Sequence, residues 1–385
     1  MTTTTALEKC QEYNFDDVYA ALQKLVSLVP PPDVKGKTVL LKPNILSPKK
    51  PEFAICTHPV VVGAAVKIFV ELGAAKVLVG ESPAVASSIS AARATGMLEQ
   101  VEKNGGEWVD FNTSVQVPCP DGKIVKLLDF AEPFTRADIV VSISKLKTHQ
   151  FMSYTGAMKN LFGLVVGLKK AKTHYRFADK KDFSAYLTDL NIAANAQYAI
   201  MDAIVGMEGQ GGPGNGDPVK LGFLAASDNI LALDWVCSSI VGYNPYQIPN
   251  LKCALERGRW LKSPDDIQTV GCTPKELKPA SFKIVKDASA AVTLQKMLPG
   301  FLNKMATLVF VKTPHFNKKK CIRCGKCLEI CPPQILRFYT DKKTVATAET
   351  PNAQKFVAIS DKSKCLHCFC CHEICPVEAI KLRKF

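Results

Sequence analysis

The chain has 385 residues, 47% of them hydrophobic and 22% charged, with a net charge of +14. That length is enough for two or three domains and a sizeable core, and no uncharged apolar run reaches the roughly 20 residues of a bilayer span. Lys159 interrupts 151–168, and Asp228 and Asp234 interrupt 221–243. The opening stretch MTTTTALEKCQEYNF has no basic segment followed by an apolar one, so it does not read as a signal peptide, and a soluble cytoplasmic protein is expected.

In chain order, residues 37–245 alternate between strand-like and helix-like segments. KTVLLKPNIL (37–46) is a buried strand, followed by a helix over 57–74 with Thr57 as its cap and Gly73 at its end. A strand over 75–82 and a helix over 87–97 come next, then an apolar strand that opens 137–149. TGAMKNLFGLVVGLKK (155–170) begins a helix, and 182–197 and 228–243 are helices around the apolar runs 198–206 and 220–227. This alternation predicts an α/β fold: a mostly parallel sheet covered by helices, Rossmann-like in outline. The division expected is an α/β domain over 1–290, a connector over 291–314 and a small α+β module over 315–385. Within the connector, 288–312 has helix-like apolar spacing broken at Pro299-Gly300.

Polar residues gather where the apolar runs end. Lys42 and Asn44 follow the first strand, Glu81 and Ser82 the second, and Lys145, Lys147 and His149 close the third. Asp202 and Glu208 accompany the fourth run, and Asp228 follows the fifth. In open α/β sheets the carboxyl edge is where ligands bind. Lys42, Asn44, His58, Lys145, Lys159 and Asn160 are therefore candidates for holding a small anion, with Lys159 and Asn160 in a first helical turn whose amides favour negative charge. Gly209, Gly211 and Gly212, in GMEGQGGPGNGDP (206–218), are candidates to close over that ligand. His149, Lys147 and Glu208 are candidate catalytic groups for moving protons. The plainer alternatives stay open: polar residues simply begin loops, and a glycine-rich segment moves in solvent. Glu81, Asp202, Glu208 and Asp228 are also the right chemistry for a hard divalent cation, and an unidentified organic cofactor at this edge is the further alternative.

Fifteen cysteines divide unevenly. Six are scattered (Cys10, Cys56, Cys119, Cys237, Cys253 and Cys272) and read as small buried hydrophobes. Nine lie between 321 and 375. Two runs share one template: Cys321-x2-Cys324-x2-Cys327-x3-Cys331-Pro, and Cys365-x2-Cys368-x2-Cys371-x3-Cys375-Pro. This is ferredoxin spacing for 4Fe–4S clusters, in which the fourth cysteine of each run ligates the other cluster. The assignment is crossed: Cys321, Cys324, Cys327 and Cys375 on one cluster, and Cys365, Cys368, Cys371 and Cys331 on the second. Cys370 falls outside the frame and packs without ligating. A zinc site is the alternative for isolated CxxC pairs, but a doubled run is far more specific. The insert over 332–364 carries ILRFYT and KFVAIS, which suit a hairpin.

From residue 312 onward, 15 Lys and Arg face 6 Asp and Glu, against 34 and 29 in the remainder. No aromatic interleaving or nucleic-acid motif accompanies this basic tail, so no nucleic acid is expected. It offsets cluster charge and attracts an acidic redox partner, a ferredoxin or flavodoxin, or else it is a solvated basic face.

KPN at 42–44, THP at 57–59, GES at 80–82, KLKTH at 145–149, GAMKNLFG at 156–163 and MEGQGGPGNG at 207–216 follow in order. Together they resemble the domain-of-unknown-function family 362, often fused to a two-cluster ferredoxin domain. At fold level that family is similar to the N-terminal domain of nickel-pincer lactate racemases, an analogy that does not fix function. Three functions are carried forward: an iron–sulfur oxidoreductase passing single electrons to a small anion at the sheet edge, an electron relay docking a partner protein, and a metal- or cofactor-handling protein.

Overall fold

Long strands that are apolar on both faces need helices on both sides, and β7 below is buried at every position. The computed structural model describes residues 2–84, 86–285, 312–340, 345–346 and 356–383. Two compact units divide the chain: Met1–Lys170 with Asp179–Val285, and Ala171–Ala178 with Lys286–Phe385.

The first unit contains β1 (Thr3–Lys9), α1 (Phe15–Leu28), β2 (Thr38–Pro43), α2 (Pro59–Glu71), β3 (Lys76–Val79), α3 (Ser88–Ala94), α4 (Met97–Lys103) and β4 (Glu107–Trp108). A hairpin of β5 (Ser114–Pro118) and β6 (Leu127–Ala131) precedes β7 (Ile139–His149) and β8 (Ser153–Thr155). Then come α5 (Ala157–Asn160), α6 (Lys169–Arg176), whose residues from Ala171 onward belong to the second unit, α7 (Lys180–Ala194), β9 (Tyr198–Glu208), β10 (Asp217–Ser227), α8 (Ile230–Ile240), α9 (Pro249–Arg257) and β11 (Ile267–Gly271).

Among the described residues one nine-stranded sheet has the order β11-β1-β10-β9-β7-β2-β3-β4, with β8 paired to the end of β7. Strands β4, β3, β2, β7 and β9 are parallel, and β10 is reversed between β9 and β1. The expected mostly parallel α/β sheet is present. On one face α1 and α2 bury Leu22, Leu25, Val62 and Phe69 against Val39, Leu41, Val141 and Ile143. Each fully buried aliphatic or aromatic side chain of this kind contributes on the order of 2 kcal/mol. The other face is covered by α5 and α8, with α7 and α9 packed beside them.

Four details depart from the sequence expectation. The loop 209–216 is too short for the dozen or so residues of a parallel crossover, so β10 returns antiparallel and Ser227 pairs with Ala199 at the start of β9. Asp228 thus lies at the edge opposite the ends of β2, β7 and β9. The helix read into 155–170 is one α-turn and one 3-10 turn (Leu161–Leu164), broken before Gly167, whose φ is +51°. His58 rather than Thr57 caps α2, its Nδ1 accepting from the Val60 amide, and Pro59 opens the helix where no N–H partner is needed. Finally, β1 and the β5–β6 hairpin carried no clear sequence signal. The hairpin turn is held by buried Asp189 of α7, which accepts from the amides of Lys123, Ile124 and Val125.

In the second unit β12 (Thr313–Phe316) pairs with β15 (Ile380–Arg383), and β13 (Leu336–Tyr339) with β14 (Phe356–Ile359), both antiparallel. The last pair is the hairpin expected from ILRFYT and KFVAIS. The expected helix over 288–312, and with it most of the connector 291–314, lies outside the described residues. No described helix is long and apolar enough to cross a membrane.

Candidate functional site

Each cysteine run turns tightly into a short helix, Lys326–Ile330 or Cys370–Glu373. Left-handed residues shape the turns, Arg323 and Gly325 in the first and His367 and Phe369 in the second. Two cavities result. One is lined by Cys321, Cys324, Cys327 and Cys375. The other is lined by Cys331, Cys365, Cys368 and Cys371. The fourth cysteine of each run thus faces the other run's cavity, which is the crossed set the spacing implies.

Electrostatics shows the same grouping. Burial, with the charges of Cys321, Cys375 and Cys324, pushes the Cys327 thiol up to about 12. The Cys371 thiol is raised by burial and by Cys368, Cys365 and Cys331, with a smaller influence from Cys327 of the other set. Among the described residues no three His, Cys, Asp or Glu side chains form a group that could hold one metal ion. Four thiols around each cavity are the ligand chemistry of a 4Fe–4S cluster. Backbone amides aim at the sulfurs: Ala379 N donates to Cys375 Sγ at 3.2 Å, and the amides of Ile335, Leu336 and Gln334 reach Cys331. Such donors stabilise cluster negative charge. Cys370 is buried, lines neither cavity and contacts the Cys368 carbonyl. His367 and His372 are tied to carbonyls of Lys312 and Ile380. All fifteen cysteines are free of disulfides.

The carboxyl edge of the sheet is built differently. Lys42 is fully buried, ion-paired with Glu81, and donates to the Pro43 carbonyl (2.6 Å) and Asn160 Oδ1 (2.9 Å). Asn160 returns the favour through Nδ2, to Lys42 O and Ser142 Oγ. Gly163 lies against this pair, where a Cβ would overlap Lys42 and Glu81. Burial drives the Lys42 ammonium below its ordinary value, and Glu81 opposes that.

Lys145 and Lys147 point to the other face, toward α1 and α2. Lys145 Nζ sits 3.0 Å from Asp202 and 2.7 Å from Tyr13 Oη. Tyr13 donates to Asp202 Oδ1 and stacks on His58 at 3.6 Å. Asp202 also accepts from the His58 amide. Burial pushes the His58 imidazole down to about 4, so it is neutral at pH 7. Lys147 donates to Asn44 Oδ1 (2.7 Å) and the Ile55 carbonyl (2.6 Å). His149 accepts the amides of Phe151 and Met152 at Nδ1, which places its proton on Nε2.

Lys42 and the Lys145–Lys147 pair therefore do not converge on one ligand from a common face. Glu208 is engaged with Lys283, through both its amide and its ammonium. Glu81, Asp202, Glu208 and Asp228 lie apart and share no ion site. The first-turn amides of α5 also have an internal anion: Asp234 of α8 accepts from Ala157 N (2.6 Å) and Met158 N (2.9 Å). Gly156 leaves the room Asp234 needs. Burial pushes the Asp234 carboxyl up to about 7, although the two amides pull it down.

The glycine-rich loop packs onto the end of β7. Thr148 Oγ1 donates to Gly209 O, the Gln150 amide to Gly212 O, and Asn215 N to Gly211 O. A side chain at Gly211 would overlap Asn215, and one at Gly212 would overlap Thr148. Sequence reading missed Tyr13, Asp234 and Lys170. Lys170 stands near Glu81, Lys42 and Lys159 and reaches the Ser82 carbonyl; burial, the largest influence on it, lowers its ammonium to about 8. Only the lysine doublet at 169–170 hinted at it.

Comparison with known proteins follows this division. Residues 39–239 match the family described as Domain of unknown function (DUF362), and 320–379 match a 4Fe–4S dicluster domain. Thylakoid-associated protein sll1697 of Synechocystis sp. is 32% identical over 259 residues, 65% of this chain and 78% of that protein. The lactate racemase apoprotein of Thermoanaerobacterium thermosaccharolyticum aligns with TM-score 0.38 and 15% identity, covering 61% of this chain and 57% of that one. A Thermotoga maritima protein aligns with TM-score 0.34 and 12% identity over 52% of each chain. This chain thus spans just over half the length of those two solved structures. By its match over 39–239, the chain belongs to the DUF362 family, joined here to a 4Fe–4S dicluster domain.

Proposed function

We propose that this protein relays single electrons through two 4Fe–4S clusters to or from a carrier protein, a ferredoxin or flavodoxin. The observation that carries this reading is the pair of cavities, each facing four thiols drawn from both cysteine runs. When bound, the clusters supply one-electron chemistry; Cys321, Cys324, Cys327 and Cys375 would hold one, and Cys365, Cys368, Cys371 and Cys331 the other. The chain's own contribution is to keep the thiols together, to aim amides at them and to enclose them. The sheet edge supports this reading indirectly, because Lys42 and Lys145 are already matched to Glu81 and Asp202. We place the protein in a reducing, cytoplasmic compartment, which suits its unpaired cysteines.

A second reading keeps a small anionic substrate at the sheet edge. Its support is Lys159 and Lys170, half-buried beside Lys42 and Glu81, where three cations meet one carboxylate. His149 Nε2 would then be the proton donor. One experiment separates the two readings. The anaerobically reduced protein is mixed with organic acids, acyl thioesters and phosphate esters, and separately with oxidised ferredoxin or flavodoxin, while cluster absorbance is followed. Reoxidation by the carrier proteins alone is the expected result. Reoxidation by a small compound, abolished in Lys159→Ala or His149→Ala, would overturn the relay reading in favour of a reductase.

A further inference from the structure

The two cysteine loops differ in what they show to solvent. Residues 318–326 carry Lys318, Lys319, Lys320, Arg323 and Lys326 and no acidic residue. Lys319, Lys320 and Arg323 are exposed, as is the ligand Cys324. Ile322, between two ligands, is 56% exposed, a large apolar side chain flanked in sequence by exposed cations. Arg323 and Lys326 line the first cavity itself. The second cavity is lined by prolines and by apolar side chains such as Ile335, Leu366 and Phe369, with no charged residue. Its loop, 361–371, has Lys362 and Lys364 against Asp361, and Asp361 pairs with Lys364.

We propose that the loop 318–326 is the electron port of the C-terminal unit, where an acidic electron-carrier protein docks over Ile322 and Cys324. The inference rests on the relay reading above and assigns its docking face and partner chemistry. Charge complementarity selects the partner: a loop of exposed cations that also exposes an apolar residue attracts a negative surface and gives it a small desolvated contact. One electron passes between the carrier's redox centre and the cluster held by Cys321, Cys324, Cys327 and Cys375; no bond is made or broken, and whichever centre gives the electron is oxidised as the other is reduced. The second cluster, whose lining carries no charged residue, exchanges electrons with the first rather than with the carrier.

The test uses the full-length protein with its clusters in place, their integrity established beforehand by iron content and EPR. Stopped-flow absorbance follows oxidation of the reduced protein by iron(III)–EDTA, an anion, by tris(phenanthroline)cobalt(III), a cation, and by an oxidised acidic 2Fe–2S ferredoxin. In the variant combining Lys319→Glu, Lys320→Glu and Arg323→Glu, the ferredoxin and iron–EDTA rates should each fall about tenfold or more and lose their decline with added salt, while the cobalt rate rises. Lys362→Glu with Lys364→Glu should change each rate less than about twofold. If charge reversal depletes iron, the milder pair Lys319→Gln and Lys320→Gln is measured in its place, with the same ranking expected. Equal losses from the two loops, or an iron–EDTA effect with no ferredoxin effect, would overturn the port assignment while leaving the relay reading intact. Absence of clusters from the wild-type protein would instead remove the reading beneath it.

Discussion

The sheet edge of the α/β unit and the cysteine loops of the C-terminal unit both concentrate chemically active side chains, but they resolve their charges in opposite ways. At the sheet edge each buried lysine meets internal oxygens: Lys42 meets Glu81 and Asn160, Lys145 meets Asp202 and Tyr13, and Lys147 meets Asn44 and the Ile55 carbonyl. The helix-start amides of α5 meet Asp234 in the same way. In the cysteine loops the thiols face one another across two cavities, and burial together with the neighbouring cysteines disfavours their ionised form. A set of polar residues completed from within is a structural device; a set of like ligands facing a shared space calls for a cofactor.

The largest effect that sharpens this contrast is cluster loss. Cys375→Ser should drop iron and sulfide from about eight to about four each per chain, with Cys321, Cys324 and Cys327 left unable to hold theirs. Cys331→Ser should do the same to the other set, whereas Cys370→Ser should leave the content unchanged. Equal, complete loss in Cys370→Ser would break the crossed assignment.

Next is the buried pair at the sheet edge. Lys42→Met removes the direct partner of buried Glu81, leaving Lys170 nearby, and should destabilise the α/β unit by up to about 3–5 kcal/mol in urea denaturation. Adding Glu81→Gln should recover much of that. If Lys42→Met were neutral and the double variant no better, the internal pairing would not be what holds Lys42. A somewhat smaller loss, about 2–4 kcal/mol, is expected for Asp234→Ala, which strands two buried amides. Gly156→Ala should behave similarly, because its methyl group displaces the Asp234 carboxylate.

The smallest effect is a pH dependence. His58 falls from 6.5 to about 4 because burial penalises its charged form, so the unfolded chain takes up this proton first. Stability contributed by neutral His58 is present above pH 6.5 and is lost as the pH falls from there toward 4. NMR titration should show its ring neutral down to about pH 4, and His58→Gln should flatten that part of the stability curve.

How much of this was legible in the sequence follows the same contrast. Iron–sulfur motifs are local: x2 and x3 spacing is that of a loop wrapped around a cluster, so the runs at 321–331 and 365–375 point to 4Fe–4S chemistry directly. The parallel strands were legible for a similar reason, since apolar runs such as VLL at 39–41 and IVVSIS at 139–144 have no other home. The sheet edge was only half legible. Strand ends indicated where the charges sit, but which carboxylate answers which lysine depends on contacts far apart in the chain, Asp234 with Ala157 and Tyr13 with Lys145. The reversal of β10 turned on the length of one loop and carried Asp228 to the opposite edge. Lys42 and Lys145 also stand three residues apart in register across β2 and β7, where Lys42 pairs with Ser142; odd spacing puts them on opposite faces.

The most direct test of the account is EPR of the anaerobically purified, dithionite-reduced protein, with iron, sulfide and zinc measured on the same sample. About eight iron and eight sulfide per chain are expected, with a broadened signal from two interacting reduced clusters that simplifies in Cys375→Ser to that of a single 4Fe–4S cluster. Zinc in place of iron, or one uncoupled cluster in the wild-type protein, would contradict it.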